Sequence, residues 1–305
     1  MLLTGAPAIQ TAGLSKTYPN AVAALVGLDL RVERGEVMGY LGPNGAGKST
    51  TIRMLVDLIR ATAGSATILG LDTRAQSVAA RARLGYLPGD LRLPDRLTGR
   101  TQLDSLARLR GQTDAGYRDA LCERFGVVLD RPMRELSRGN RQKIGIVQAF
   151  MHRPEALILD EPTSGLDPLL QGEFRTLLRE TATDGRTVFL SSHVLDEVQH
   201  AADRVAIVNR GRLVDLDTVG NLRRRALRHV TITFREPVDA APFAALSSVR
   251  VEGADGATVR LAAPANAMDA IVKAVAAHDV VDLTSQPADL EEIFLELYRE
   301  PADVG

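Results

Sequence analysis

Two short runs carry the residue types of phosphate chemistry. In GPNGAGKST, residues 42–50, Gly42 to Ser49 satisfy G-x-x-x-x-G-K-[ST], directly after an apolar strand-like run and at the opening of a helical one. Glycines let the backbone curl until successive N–H groups point inward at a phosphate. Lys48 supplies a cation for the β and γ phosphates, and the Ser49 hydroxyl is a hard ligand for Mg²⁺. Gly42, Pro43, Asn44, Gly45, Ala46, Gly47, Lys48, Ser49 and Thr50 are therefore the candidate nucleotide loop. In ALILDEP, residues 156–162, an apolar run ends in Asp160 and Glu161. Asp160 is placed to hold Mg²⁺, directly or through water, and Glu161 to polarise an attacking water. Alone, this pair reads equally as an acidic turn that ends a strand; the phosphate loop upstream selects the chemical reading. A third run, LSRGNRQKIGIVQAF at 136–150, is a polar turn entering a helix. Ser137 suits the N-cap, so the first backbone N–H groups and Gly139 present an anion-binding surface, although an ordinary helix cap needs the same residues.

These runs need a scaffold that brings strand ends together. Over residues 8 to 219, short β-like segments such as GEVMGYLG, EALILD, TVFLSS and RVAIVN alternate with amphipathic helical stretches. That is the pattern of a mostly parallel sheet with helices on its faces, an α/β P-loop NTPase core. Between about 95 and 150 the β signal lapses, and LTGRTQLDSLARLR, AGYRDALCERF and RQKIGIVQAFM have helical spacing, which predicts a helical insertion subdomain. From 221 to 305, VTITF, VRVEG, TVRLAA, a helix over ANAMDAIVKAVAAH, VVDLTS and DLEEIFLELYRE predict a separate small α+β domain. The arginine-rich NLRRRALRH before it reads as a solvated linker, with a lipid- or nucleic-acid-binding patch as the other reading.

Composition narrows the class. The 305 residues carry a formal net charge of −1, which gives no overall electrostatic case for nucleic acid or an anionic membrane. A single cysteine, Cys122, excludes a disulfide framework and fits a reducing compartment. No window approaches the ~18 consecutive apolar residues of a membrane span. The opening MLLTGAPAIQTAGL lacks a basic start and a sustained apolar core, so no secretory signal is expected. His152, His200, His229 and His278 show no metal spacing.

GPNGAGKST, LSRGNRQ, LILDEPTSGLD and SSH, in this order and at these separations, resemble the nucleotide-binding subunit of ATP-binding-cassette (ABC) transporters over residues 8 to about 219. The resemblance implies that Ser137, Gly139 and Asn140 form the family's signature loop. It also implies that such subunits pack head to tail as a homodimer, each signature clamping the γ-phosphate on the partner's P-loop. Tyr18 matches the aromatic that stacks on adenine, and Ser164, Gly165, Leu166 and Asp167 match the loop that couples the sites across the dimer. His193 matches the switch histidine that contacts the γ-phosphate, and joins Glu161 as a catalytic candidate. The cofactors so implied are ATP and Mg²⁺.

Three positions depart from the family pattern. Gly89, in LGYLPGDLRL, stands where a glutamine usually contacts Mg²⁺ and water, with Asp90 next to it; Arg138 replaces a glycine and Asn140 a glutamine. Asp90 is then a substitute metal ligand, or else a solvated loop acid. DLEEIFLELYRE, with GYLPGDLRLPDRLTGR, resembles ATPase subunits that serve ABC-2-type permeases, many of them exporters; the same run suits a domain-closing core helix. The expectation is a cytoplasmic ATPase, peripheral on the inner face of the cell membrane through a separate permease and driving efflux. A non-transport ABC ATPase and a slow nucleotide-dependent switch are the alternatives.

Overall fold

The computed structural model describes residues 6–19, 21–111, 114–225 and 227–286. Its first strands, β1 (Ile9–Thr17) and β2 (Ala23–Val32), pair antiparallel with Ile9 opposite Val32 and Leu14 opposite Leu28. Ile9, Thr11 and Leu14 are buried and Gln10 and Ala12 exposed, so one face is covered and the other wet. The chain then dives through the fully buried β3 (Val37–Leu41) into α1 (Lys48–Leu55). It returns to the first sheet as β4 (Ala63–Ile68), beside β1, and β5 (Leu71–Asp72), giving the order β2-β1-β4-β5.

The second sheet is built from apolar runs with no alternation. After α2 (Ser77–Ala82), β6 (Leu84–Leu87) leads into three helices, α3 (Gly99–Arg110), α4 (Ala115–Arg124) and α5 (Arg138–Phe150). Thr98, Asp114 and Ser137 cap them, each side chain accepting from the backbone N–H of the residue three positions on. There follow β7 (Ala156–Asp160), α6 (Pro168–Thr183), β8 (Thr187–Ser192), α7 (Leu195–Ala201), β9 (Arg204–Asn209) and β10 (Arg212–Thr218). The six strands lie in the order β10-β9-β3-β8-β7-β6. β3, β6, β7, β8 and β9 pair parallel, and β7 and β8 are buried along their whole length, as strands covered on both faces must be.

The sequence predicts the parallel strands and the helical insertion, but not the antiparallel sheet at the start of the chain. That sheet and the parallel one enclose a core in which Ile9, Leu28 and Leu30 join Met38, Tyr40, Ile52, Ile158 and Phe189. Because Ile52 and Leu55 of α1 belong to this core, the helix that begins with Lys48 is anchored between the sheets.

The chain divides into two compact units, Met1–Leu216 and Asp217–Gly305. The second contains α8 (Val219–Arg225), β11 (Leu227–Phe234), α9 (Ala241–Ala244), β12 (Arg250–Asp255), β13 (Thr258–Pro264), α10 (Met268–Val275) and β14 (Val280–Gln286). Its sheet has the order β12-β13-β11-β14, with antiparallel pairs, and its core is formed by residues including Ile232, Phe234, Phe243, Leu261 and Ile271. The run DLEEIFLELYRE lies outside the described residues.

Candidate nucleotide site

The parallel register brings three strand ends level: Leu41 of β3 pairs with Ser192 of β8, and Asp160 of β7 with Ser191. Each end runs straight into a candidate residue, which is where parallel α/β sheets bind ligands. At the end of β3, Gly47 caps α1 with φ +103°, and a Cβ there would lie 2.4 Å from the Ala24 carbonyl oxygen. No other residue fits that turn. Lys48 follows, only 6% exposed, with Nζ donating to the carbonyls of Gly42 at 2.6 Å and Pro43 at 3.3 Å and lying 3.4 Å from Glu161 Oε1. Pro43, Asn44, Gly45, Gly47, Lys48, Ser49 and Thr50 line a cavity of about 320 Å³ together with Gly89, Glu161, His193, Arg138 and Ser164.

The acidic pair is held by its neighbours. Asp160 is buried and accepts from Ser191 Oγ at 2.5 Å, and its charge, after burial, helps push the Tyr86 hydroxyl up. Glu161 sits in the left-handed region at φ +50°, a conformation costing about 1–3 kcal/mol for a residue with a Cβ. Its N–H donates to the Ser191 carbonyl at 3.2 Å, while Gln142 of α5 donates to the Pro162 carbonyl at 2.7 Å, so the turn is fixed from both sides. Its carboxylate spans two nitrogen ligands: Lys48 Nζ near Oε1, and His193 Nδ1 at 2.7 Å from Oε2.

Glu197, which the sequence reading did not single out, ties these loops together. One carboxylate oxygen accepts from Thr163 Oγ1 in a short bond, and the other accepts from Ser192 Oγ at 2.7 Å. Ser192 Oγ in turn accepts from Val194 N at 2.9 Å, so His193 is flanked by the same network. The available signal was Glu197's place four residues after His193, with hydroxyls near both catalytic candidates.

Other predicted residues divide. Ser137 caps α5, accepting from Asn140 N at 3.2 Å, and Gly139 stands so close to the loop 164–167 that a Cβ would lie 2.7 Å from the Gly165 carbonyl. Asn140 has its side chain engaged within the chain: its buried amide accepts from Val128 N at 2.9 Å and donates to Val128 O at 3.1 Å, so it secures the helix start. Asp90, the expected metal ligand, is held in an ion pair. Its exposed carboxylate pairs with Arg92 at 2.8 Å, and Gly89 faces the acids, where a Cβ would come within 3.1 Å of Asp160 Oδ2. Asp167 caps α6, accepting from Leu170 N at 3.0 Å. Tyr18 reaches α1, its hydroxyl 3.5 Å from Thr50 Oγ1, with Lys16 Nζ 5.3 Å from the ring centre.

The donor set suits Mg²⁺ shared with phosphates. Ser191 occupies one oxygen of Asp160, leaving the other and the Ser49 hydroxyl to a hard cation. Among the described residues no group of three or more His, Cys, Asp or Glu is arranged to hold a metal ion by itself.

A second cavity of about 230 Å³ lies between the end of α1, β6, α3 and α5, lined by Val56, Leu84, Tyr86, Leu106 and Met151. Leu58 beside it is 59% exposed. No helix among the described residues is long and apolar enough to cross a membrane.

The ABC transporter family matches residues 25–164. The chain is 34% identical to the daunorubicin/doxorubicin resistance ATP-binding protein DrrA of Streptomyces peucetius, an alignment spanning 97% of this chain and 94% of that one. A solved ATP binding subunit of an ABC transporter superposes with a TM-score of 0.66 at 30% identity, over 71% of this chain and 92% of that one. The fold is shared with an ATP-binding cassette solved as a dimer bound to ADP and Pi, with a TM-score of 0.63 at 21% identity, over 69% of this chain and 98% of that one.

Proposed function

The chain belongs to the ABC transporters as an ATP-binding and ATP-hydrolysing subunit, and from that premise we propose how its residues divide the work. ATP lies along the P-loop, its phosphates met by the backbone N–H groups of residues 44–50 and by Lys48, with Tyr18 at the adenine end. Ser49 and Asp160 would hold Mg²⁺, which when bound would neutralise charge developing on the phosphates. The observation that carries the catalytic reading is the double engagement of Glu161. Lys48 and His193 each occupy one of its carboxylate oxygens, and both are groups a γ-phosphate attracts. When phosphate draws them away, Glu161 is left on its fixed backbone with both oxygens available to orient water and accept its proton. Glu161→Gln tests this, because the amide keeps the shape and loses the base: ATP binding should persist while turnover collapses.

We further propose a homodimer in which Ser137 and Gly139 of one subunit meet the nucleotide of its partner, with Asp167 in the adjoining loop. P-loop residues, Glu161 and His193 line one cavity of this chain, and the Ser137-capped start of α5 carries an N-terminal dipole suited to a phosphate. The apolar groove beside Leu58 supports docking on a membrane permease, since exposed apolar concavities mark interaction sites. The drug-resistance name of the Streptomyces relative favours drug efflux through an ABC-2-type permease at the cytoplasmic face of the membrane. Leu58→Asp should release the subunit from membranes co-expressing that permease and leave nucleotide binding intact; retention would remove the groove from this role.

A further inference from the structure

Arg138 is the first residue of α5, and its side chain turns toward the phosphate cavity of its own chain. Nη2 donates to Ser164 Oγ at 2.6 Å, and the aliphatic stem crosses Gly165, where a Cβ would lie 3.5 Å from Arg138 Cγ. Arg138 and Ser164 line the cavity that contains Lys48, Glu161 and His193. Its hydrogen-bond partner is a neutral hydroxyl, and no described carboxylate forms an ion pair with it; the carboxylate across the cavity, that of Glu161, is engaged by Lys48 and His193. A guanidinium bound along one edge keeps its remaining N–H donors in a planar fork, the geometry that grips phosphate bidentately. Lys48 is buried at the base of the cavity, whereas Arg138 is exposed, so the two cations differ in accessibility.

We infer that Arg138 binds the polyphosphate of the nucleotide held on its own chain's P-loop, with Ser164 as the positioning residue that orients the guanidinium. This rests on the cavity being the nucleotide site. It gives the loop 164–167 a direct report of occupancy, because the group that holds Ser164 also touches the ligand. Asp167, at the end of that loop, caps α6.

The test is a titration of the full chain with fluorescent ATP, ADP and AMP analogues in EDTA, at concentrations where sedimentation shows monomers. Arg138→Gln should weaken the ATP analogue about 3- to 10-fold, the low end for a charge-assisted contact because the arginine is exposed. The loss should be smaller for ADP and absent for AMP, and Arg138→Lys should recover part of it. Ser164→Ala should weaken ATP binding about 2-fold, with no further loss in the Arg138→Gln background. Parent-like affinity of monomeric Arg138→Gln overturns the inference. A loss that appears only once dimers form overturns it as well, since it places Arg138 on the partner's nucleotide. Lys48→Ala in the same titration separates the two readings. If Lys48→Ala weakens binding and Arg138→Gln does not, the inference alone falls; if neither does, the nucleotide assignment of the cavity falls with it.

Discussion

The P-loop side of the cavity and the start of α5 are the two proposed anion sites, yet they are built differently. The P-loop turns its side chains to the cavity: Lys48, Ser49 and Thr50 line it, and Gly47 admits the turn. The start of α5 spends its side chains on the chain itself. Ser137 caps the helix, Asn140 binds the Val128 backbone, and Gly139 packs on Gly165. Only Arg138 turns into the cavity. The difference teaches that matching a motif does not fix which of its atoms meet the ligand; a signature loop can offer mainly its backbone once its side chains are committed to the helix.

Substitutions should separate the two sides. The largest effect belongs to the P-loop side: Glu161→Gln should cut ATP turnover by about 10²-fold or more, the scale of a lost general base, with nucleotide affinity within about 2-fold of the parent. Parent-like turnover would remove Glu161 from that role. Glu197→Ala should act on the same side at one remove, lowering turnover about 10-fold without changing nucleotide affinity, because it frees Thr163 and Ser192 around Glu161 and His193. Glu197→Gln should restore part of the rate. An equal fall in affinity would mean that Glu197 supports the fold of the whole site.

On the α5 side the expected currency is stability. Asn140→Ala strands the Val128 N–H and C=O and should cost about 1–3 kcal/mol in denaturant unfolding, with nucleotide affinity in the monomer unchanged. A loss of affinity without a loss of stability would return Asn140 to the ligand.

The smallest effect is a pH dependence at the end of α5. Burial, aided by the charge of Arg110, lowers His152 to about 4, and its Nδ1 is buried without a partner. The folded state therefore binds fewer protons than the unfolded one between about pH 4 and the ordinary histidine value of about 6.5. Stability contributed there is present in full above that window and is lost as pH falls through it. His152→Gln should flatten the stability profile in this range, measured by urea unfolding at a series of pH values, with turnover at neutral pH unaffected.

Much of this was legible in the sequence because its signals were strong locally. β7 and β8 are continuous apolar or β-favouring runs, and each ends at a residue with chemistry, Asp160 and the Ser192–His193 step. The antiparallel sheet was not read. In β1 the alternation is interrupted by Gly13 at φ +56° and by register shifts, and the buried faces include Thr11, whose hydroxyl donates to the Leu28 carbonyl at 2.8 Å. Such half-polar strands acquire their identity only from their partners. Asp90 illustrates a one-residue limit. Composition offered an oxygen donor, but the backbone aims Gly89 at Asp160 and sends the Asp90 side chain to Arg92. Glu197 and Arg138 acquire their roles from contacts across separate loops, which no local pattern encodes.

The central claim, that each chain holds a P-loop half and lends a signature half to its partner, is tested most directly by mixing inactive subunits. Lys48→Ala disables one half and Ser137→Arg the other, so a mixed dimer contains one composite site with both halves intact. Recovery of ATP turnover on mixing, where each variant alone has almost none, is the predicted result. Absence of recovery, with mixed dimers demonstrated by differential tags, would contradict the account.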